Sequence, residues 1–177
     1  MSENAVVVMS PEVRSYIDEQ IQRSVAGLLT PGFKLFAEHA NLIPKYNKVG
    51  DSGFDLRANI ATDIFIQPGD RALVPTGLYV EMPVGFELQI RPRSGYALKE
   101  GATVLNAPGT IDANYRGQIG VIVHNDGSAA LHIQPFERVA QGVVARVERI
   151  NWELVESREA LTETERGEGG FGSSGKQ

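Results

Sequence analysis

Short runs of apolar and β-branched residues, broken by turn-forming residues, follow one another from residue 34 to residue 150. Turns rich in Gly, Pro, Asn and Asp, such as residues 67–70 and 125–127, separate these runs. Because short strands at this spacing are typical of sandwiches and barrels, the pattern predicts an all-β fold, either a barrel or a double-sheet roll. The predicted strands cover residues 34–36, 54–60, 63–66, 71–74, 77–81, 86–90, 119–123 and 139–147.

The stretch from residue 103 to residue 125 has β-rich apolar ends and a polar middle. Its middle contains Asn106, Asp112 and Tyr115 among Gly, Pro and Asn residues. This arrangement predicts strand, tight connection, strand. Such a connection presents backbone groups and a few side chains to one cleft, which suits a small planar ligand. An ordinary surface hairpin with turn-forming Asn and Asp is the alternative.

Residues 10–29 carry the one helical pattern. Ser10 suits the N-cap, Pro11 suits the first helical position, and apolar residues then recur every three to four residues. A helix this short is marginal by itself, so we expect it to pack on the domain or on an oligomer. A helix that binds a partner protein is the alternative.

The chain changes character after residue 150. Residues 153–168 are acidic and polar, and residues 169–177 read GGFGSSGKQ. The composition of residues 153–177 predicts either a solvated terminus or an arm that becomes ordered over a ligand. Its GxxxxGK spacing is not a phosphate-binding loop, because Gln177 stands where Ser or Thr is required and no helix follows. We predict an N-terminal extension over residues 1–31, a β-domain over residues 32–150 and an arm over residues 151–177.

Composition narrows the function classes. A hydrophobic fraction of 42% in 177 residues suits one globular domain, and a net charge of −5 argues against a broad nucleic-acid surface. The chain has no Cys and three scattered His, so thiolate chemistry is excluded and no HExxH pair occurs. Neither a membrane-length apolar run nor a basic leader occurs, so we expect an intracellular, cytoplasmic protein.

Four more segments combine chemically active side chains with glycine turns: residues 51–58, 91–97, 137–141 and 166–175. In the second, Arg93, Ser94 and Gly95 offer a guanidinium, a hydroxyl and backbone amides, a combination typical of phosphate binding. Each segment alone has a structural explanation. Taken in order with the central stretch, the five segments resemble the five motifs of the trimeric dUTP pyrophosphatase (dUTPase) family over residues 32–175.

This resemblance implies a jelly-roll-like β-barrel that forms a homotrimer with three shared active sites. It implies Mg²⁺-dependent hydrolysis of dUTP to dUMP and pyrophosphate, which keeps uracil out of DNA and supplies dUMP for thymidylate synthesis. Neither nucleic acid nor membrane is an implied partner, and the N-terminal helix could still bind a protein. In the family, the arm of one chain closes over a site that the other two chains build.

The resemblance also implies roles for residues of the central stretch. Asp112 matches the carboxylate that orients and deprotonates the attacking water, and Asn106 matches the residue that hydrogen-bonds the uracil edge. Backbone groups of the adjacent hairpin complete that recognition, at Gly109, Thr110 and Ile111. Tyr115 matches the aromatic residue beneath the deoxyribose, where its bulk would exclude a ribose 2′-hydroxyl.

Residues outside the central stretch match the phosphate and metal contacts of the family. Asp55 matches a carboxylate near the hydrated Mg²⁺, an ion held mainly by the substrate phosphates. The phosphate-contacting positions are Arg93, Ser94, Gly95 and Gln141. In the arm, Phe171 would stack on uracil and Arg166 would reach the terminal phosphate. The arm's remaining substrate contacts are Gly172, Ser173 and Ser174.

Three positions depart from the usual family pattern: Asn114, Gly142 and Ser174. A dCTP deaminase of similar fold is one rival, but Asp112 with Tyr115 three residues later, and the run Arg93-Ser94-Gly95-Tyr96, favour dUTP hydrolysis. The other rival is a non-catalytic scaffold that binds a protein through its N-terminal helix.

Overall fold

The computed structural model describes residues 14–15 and 32–170. By its internal contacts the chain divides into two units, Met1–Val147 and Glu148–Gln177. Arg14 and Ser15 have helical backbone, and the rest of the helix predicted over residues 10–29 lies outside the described residues. The helix and the partner role suggested for it therefore stay predictions.

Eleven strands and one α-helix are described in the first unit. The helix, α1, spans Ser94–Glu100, and a 3₁₀ turn covers Ala40–Leu42. The strands are β1 (Lys34–Ala37), β2 (Gly53–Arg57), β3 (Ile64–Ile66), β4 (Arg71–Pro75), β5 (Leu78–Glu81), β6 (Phe86–Arg91), β7 (Ala102–Val104), β8 (Gly109–Ile111), β9 (Gly120–Asn125), β10 (Leu131–Ile133) and β11 (Arg138–Arg146). The fold is thus mostly β. No helix in the described ranges is long and apolar enough to cross a bilayer.

The strands pair antiparallel in four sheets. One sheet has the order β2-β11-β6-β8, and a second has the order β4-β9-β7. Two two-stranded ribbons, β1-β5 and β3-β10, complete the set. Every described pair is antiparallel, as expected for strands joined by short turns.

Alternating burial along the strands explains why these residues form sheets around one core. In β9, Val121, Val123 and Asn125 are buried while the residues between them are partly exposed. Each fully buried Val or Leu contributes about 1.5–3 kcal/mol, so this face drives folding. Asn125 is the polar member, and its amide donates to the carbonyls of Ile66 and Ala129 at 2.8 Å each. These bonds offset the cost of burying its amide.

The central stretch is only partly the hairpin that its pattern predicts. Its ends do pair, with Thr103 opposite His124 and Val104 opposite Val123. The connection, however, contains a further strand, β8, which leaves this sheet and pairs with β6 in the four-stranded sheet. Three-residue strands such as β8 and β10 carry too few side chains to show a period, and the pattern missed both.

Residues 94–100 are helical, which corrects the glycine turn predicted within residues 91–97. They form helix α1, which Gly101 ends with a φ of 70°. The Gly101 N–H donates to the Ala97 carbonyl at 3.0 Å, and only glycine adopts this left-handed conformation without steric cost.

Candidate active site

Three polar side chains lie side by side at one end of the four-stranded sheet. Gln141 on β11 is opposite Asp55 on β2 and opposite Arg91 on β6. Side chains of directly opposed residues point to the same face of a sheet, so all three share one surface. The Gln141 Nε2 donates to the Pro92 carbonyl at 2.9 Å, which ties the sheet to the segment leading into α1.

Asp55 lies between two guanidinium groups. Arg93 Nε donates to its Oδ1 at 2.8 Å and Arg138 Nη1 donates to its Oδ2 at 3.1 Å. Arg93 Nη1 also donates to the Arg138 carbonyl at 2.9 Å. A break in the β11–β2 register between Arg138 and Ala140 accompanies this contact, as bulges often re-aim side chains. Two guanidiniums against one carboxylate leave a local excess of positive charge, which suits an anionic ligand.

Gln141 also lines a polar cavity of about 350 Å³ beside β2. The other lining residues are Asn47, Asp51, Ser52, Gly53, Phe54 and Asp55. A Cβ built on Gly53 would lie 2.7 Å from Gln141 Oε1, so the absence of a side chain at residue 53 leaves room for the Gln141 amide.

The unusual glycine at residue 142 has a packing explanation. Gly142 pairs with Phe54, and a Cβ built on Gly142 would lie 2.9 Å from the Phe54 Cζ and 3.1 Å from the Leu88 Cδ1. The Phe54 ring therefore occupies the space that a larger residue at position 142 would need.

The catalytic candidate follows the edge strand of the same sheet. Strand β8 pairs Ile111 with Leu88 and Gly109 with Ile90, and Asp112 comes directly after it. Asp112, Asn106 and Thr110 are exposed, Ile111 is partly exposed, and Gly109 is buried. A Cβ built on Gly109 would lie 3.2 Å from Asn106 Nδ2, so this amide packs against the first residue of β8.

Tyr115 lies in the turn that follows Asp112. Its backbone N–H donates to the Asp112 carbonyl at 3.1 Å, and its hydroxyl donates to the Gln118 carbonyl at 2.9 Å. Arg116 Nη1 bonds the Ala113 carbonyl at 2.8 Å, which closes the turn from the other side. Tyr115 as a whole residue is 42% exposed, so its side chain is accessible to a ligand.

Helix α1 presents Ser94 and Gly95 at its exposed first turn. The next residue, Tyr96, is buried, and its hydroxyl has no hydrogen-bond partner within residues 32–170. Burial raises the pKa of the Tyr96 phenol, and the negative charges of Glu137 and Glu100 raise that pKa further. The phenol is therefore neutral at physiological pH.

The donor set fits a Mg²⁺ ion that is held mainly by a ligand. Within the described ranges, no three His, Cys, Asp or Glu side chains converge on one point. Each Asp55 oxygen accepts one guanidinium bond and keeps a lone pair, which is enough for a metal-bound water but not for a protein cage. Mg²⁺ commonly keeps its waters and uses one or two carboxylates plus substrate phosphates.

The second unit contains one described site candidate. Arg166 Nε donates to the Gly169 carbonyl at 2.8 Å, and the Gly169 N–H donates back to the Arg166 carbonyl at 3.0 Å. Phe171, Gly172, Ser173 and Ser174 lie outside the described residues, so their roles stay predictions.

The structure thus forms two groups of candidates. Direct contacts join Asp55 and Arg93, and Gln141 lies beside Asp55; the other group contains Asn106, Asp112 and Tyr115. No hydrogen bond or ion pair in residues 32–147 joins the two groups. Sequence reasoning missed Arg138 as a site residue, although it lies in the fourth motif-like segment, where a basic residue three positions before Gln141 was the available signal.

Fold and site together define a mostly β protein with a basic, carboxylate-containing site at one end of its four-stranded sheet. The dUTPase family profile matches residues 40–175. The chain is similar to the deoxyuridine 5′-triphosphate nucleotidohydrolase of Bdellovibrio bacteriovorus, with 52% identity over 81% of this chain and 93% of that protein. It is 52% identical to the Chlamydia trachomatis serovar D protein of the same name, over 78% and 94%. The chain belongs to the dUTPase family.

Solved structures agree with this assignment. The dUTPase of Staphylococcus bacteriophage 80alpha, with dUpNHpp, aligns with a TM-score of 0.71 and 26% identity, over 82% of this chain and 99% of that chain. A mutant dUTPase of phage phi11 of S. aureus, described as coordinating a structural Mg(II) ion, aligns with a TM-score of 0.64 and 20% identity, over 73% and 99%. At 20% identity, the similarity to the phi11 structure supports the fold alone.

Proposed function

We propose that this protein hydrolyses dUTP to dUMP and pyrophosphate. The observation that carries the proposal is the Arg93–Asp55–Arg138 cluster at one end of the four-stranded sheet, together with the exposed Asp112 that follows edge strand β8 toward the other end. Hydrolysis of a phosphoanhydride depends mainly on charge neutralisation and on the position of the attacking water. The first group supplies positive charge, and the second supplies a carboxylate that can act on water.

In this proposal the Asp112 carboxylate accepts a proton from the water as its oxygen attacks the α-phosphorus. The bond from that phosphorus to the bridging oxygen breaks, and pyrophosphate leaves with the bonding electrons. A positioned general base typically contributes about 10²–10⁴-fold to the rate. Arg93, with Ser94 and Gly95 at the first turn of α1, would bind the phosphate chain. Gln141, anchored on Pro92, would orient phosphate or water.

Base and sugar recognition are assigned to the second group. The Asn106 amide would pair with the uracil edge, together with backbone groups of Gly109, Thr110 and Ile111. The exposed Tyr115 ring would lie against the deoxyribose, where its bulk opposes a 2′-hydroxyl. The arm would add Arg166 at the terminal phosphate and Phe171 on the base. Stacking of one aromatic ring on a base is worth about 1–3 kcal/mol.

Mg²⁺, when bound to the triphosphate, supplies further charge neutralisation at the phosphates. Asp55 is the residue that we expect to meet its hydration shell, since both carboxylate oxygens are already fixed by arginines. Arg93 and Arg138 would then hold Asp55 in place whether or not the ion is present.

We further propose a homotrimer in which the four sheets close into a jelly-roll-like barrel in each chain. The separation of the two groups of candidates within one chain supports shared sites, because two copies could each contribute one group. The arm of a third copy would cover the site. The cellular consequence would be removal of dUTP before DNA synthesis.

Pyrophosphate release from dUTP, dCTP, dTTP and UTP, each with Mg²⁺ and with EDTA, tests the proposed activity. We expect turnover of dUTP alone, and only with Mg²⁺. Ammonia released from dCTP in the same reactions would instead assign a deaminase. No turnover of any nucleotide would leave a non-catalytic scaffold.

A further inference from the structure

The Glu38 carboxylate links three separate segments of the first unit. Glu38 follows β1 directly, and its Oε2 accepts a 2.6 Å bond from Asn59 Nδ2. Its Oε1 accepts bonds of 3.1 Å from the Tyr79 hydroxyl and of 3.1 Å from Gln118 Nε2. One carboxylate therefore orients a residue beyond β2, a residue on β5 and a residue just before β9.

Gln118 connects this carboxylate to the candidate active site. Its Nε2 donates to the Tyr79 hydroxyl at 3.1 Å as well as to Glu38, so its side chain is held at two points. Its backbone carbonyl accepts the hydrogen bond from the Tyr115 hydroxyl. The connection runs from Glu38 through Gln118 to the Tyr115 ring.

The backbone beside Gln118 is also fixed. The Ile119 N–H donates to the Leu78 carbonyl at 2.8 Å, and the Thr76 hydroxyl donates to the Ile119 carbonyl at 2.6 Å. These bonds hold the C-terminal neighbour of Gln118, while Glu38 and Tyr79 hold its side chain. With both restrained, the carbonyl that receives the Tyr115 hydroxyl has a defined position.

We propose that Glu38 is a positioning residue that acts through Gln118 on Tyr115, and that it thereby sets the preference for a 2′-deoxyribonucleotide over a ribonucleotide. This inference rests on the role proposed above for Tyr115. Polarity alone rejects an added hydroxyl poorly, by about 10²-fold, so rejection depends on bulk held in one place. Because Tyr115 is 42% exposed, its hydroxyl needs a fixed partner if the ring is to provide such bulk.

The test compares kcat/KM for dUTP with kcat/KM for UTP, using the full chain with Mg²⁺. We expect Glu38→Ala to lower the ratio of the two values by about 3-fold to about 10-fold, the range that corresponds to one ordinary hydrogen bond. Loss of folded enzyme lowers both values equally and leaves their ratio unchanged. Asp63→Ala, which removes another exposed carboxylate with a side-chain partner, is the matched control and should keep the wild-type ratio.

Two further variants locate the effect. Glu38→Gln keeps the size and one acceptor oxygen, so it should restore part of the ratio lost in Glu38→Ala. Tyr115→Phe removes the hydroxyl that bonds the Gln118 carbonyl and should lower the ratio as Glu38→Ala does. The double variant should lower it no further, because both changes break the same connection.

Four outcomes would overturn the inference. A Glu38→Ala protein with a lower unfolding temperature but the wild-type ratio would show a merely structural role. Additive effects of Glu38→Ala and Tyr115→Phe would show that the two residues act separately. If Tyr115→Ala leaves the ratio unchanged, the proposed role of Tyr115 fails and the inference fails with it. If Tyr115→Ala lowers the ratio but Glu38→Ala does not, the inference about Glu38 fails while the proposed site stays intact.

Discussion

Arg93 Nε and Asp55 Oδ1 lie 2.8 Å apart, and this contact joins β2 to the segment before helix α1, 38 residues away in sequence. Arg93 also donates to the Arg138 carbonyl, so its planar guanidinium fork bridges two strands. A lysine would keep the charge but could not keep this two-point geometry.

Arg93→Lys should therefore weaken substrate binding more than it weakens the fold. The Arg93 and Asp55 side chains are 28% and 20% exposed, and a partly exposed ion pair contributes only about 1 kcal/mol or less. We expect KM for dUTP to rise about 10-fold, equivalent to the loss of one charge-assisted hydrogen bond. Steady-state kinetics check this. Arg57→Lys, at the last residue of β2, is the control. An equal rise in its KM for dUTP would contradict the assignment of Arg93 to phosphate binding.

Gly53→Ala should impair catalysis by displacing Gln141. The added Cβ would approach the Gln141 Oε1 to 2.7 Å, so the amide must move and its bond to the Pro92 carbonyl breaks. Because a flexible side-chain end can move cheaply, the free energy of unfolding should change by less than about 1 kcal/mol. The kcat should fall about 10-fold, as expected for one mispositioned group.

A double variant checks that Gln141 carries this effect. Gly53→Ala added to Gln141→Ala should lower kcat little beyond Gln141→Ala alone. If the two substitutions lower kcat independently, the effect of Gly53→Ala does not act through the Gln141 amide.

Tyr96→Phe should stabilise the protein, and the gain should grow at alkaline pH. The buried hydroxyl has no partner within residues 32–170, and such a group costs about 1–3 kcal/mol. Burial raises the pKa of Tyr96 in the folded state, so the wild-type free energy of unfolding is unaffected by this group below the unfolded pKa. As the pH rises above about 10, the unfolded phenol ionises while the folded phenol stays protonated, and the free energy of unfolding falls. The phenylalanine variant lacks this loss.

Thermal unfolding at about pH 8 and about pH 10.5 measures this difference, because the unfolded phenol ionises between them. Tyr46→Phe, which removes the hydroxyl of an exposed tyrosine, is the control. If Tyr96→Phe is destabilised at the lower pH, the hydroxyl has a partner after all.

The strands could be predicted where a short apolar or β-branched run stands between turn-forming residues. Strands β1, β3, β4, β5, β6, β9 and β11 appear within two residues of their predicted bounds for this reason. Strands β8 and β10, each of three residues, were missed. Helix α1 was missed because its seven residues include Gly95 and its N-cap Arg93 makes no side-chain cap bond.

Motif order could single out candidate residues, but it could not indicate the contacts between them. Asp55, Arg93 and Gln141 were identified from motif order, yet no local pattern indicates that Arg93 bonds Asp55 across 38 positions. Arg138, Glu38 and Gln118 were not singled out because only tertiary contacts join them to the candidate residues. The bulge at Arg138, which accompanies its contact with Asp55, depends on the register of two strands 83 residues apart.

The most direct measurement of the central claim is single-turnover hydrolysis of dUTP by Asp112→Asn, together with the Kd for dUpNHpp. The account predicts a loss of about 10²–10⁴-fold in the rate of the chemical step, since the amide cannot accept the proton. The Kd should be unchanged within about 3-fold, because Asp112 acts on water rather than on the nucleotide. Asp126→Asn, at another exposed aspartate, should match wild type in both. A wild-type rate in Asp112→Asn, or an equal loss in Asp126→Asn, would contradict the assignment of Asp112 as the general base.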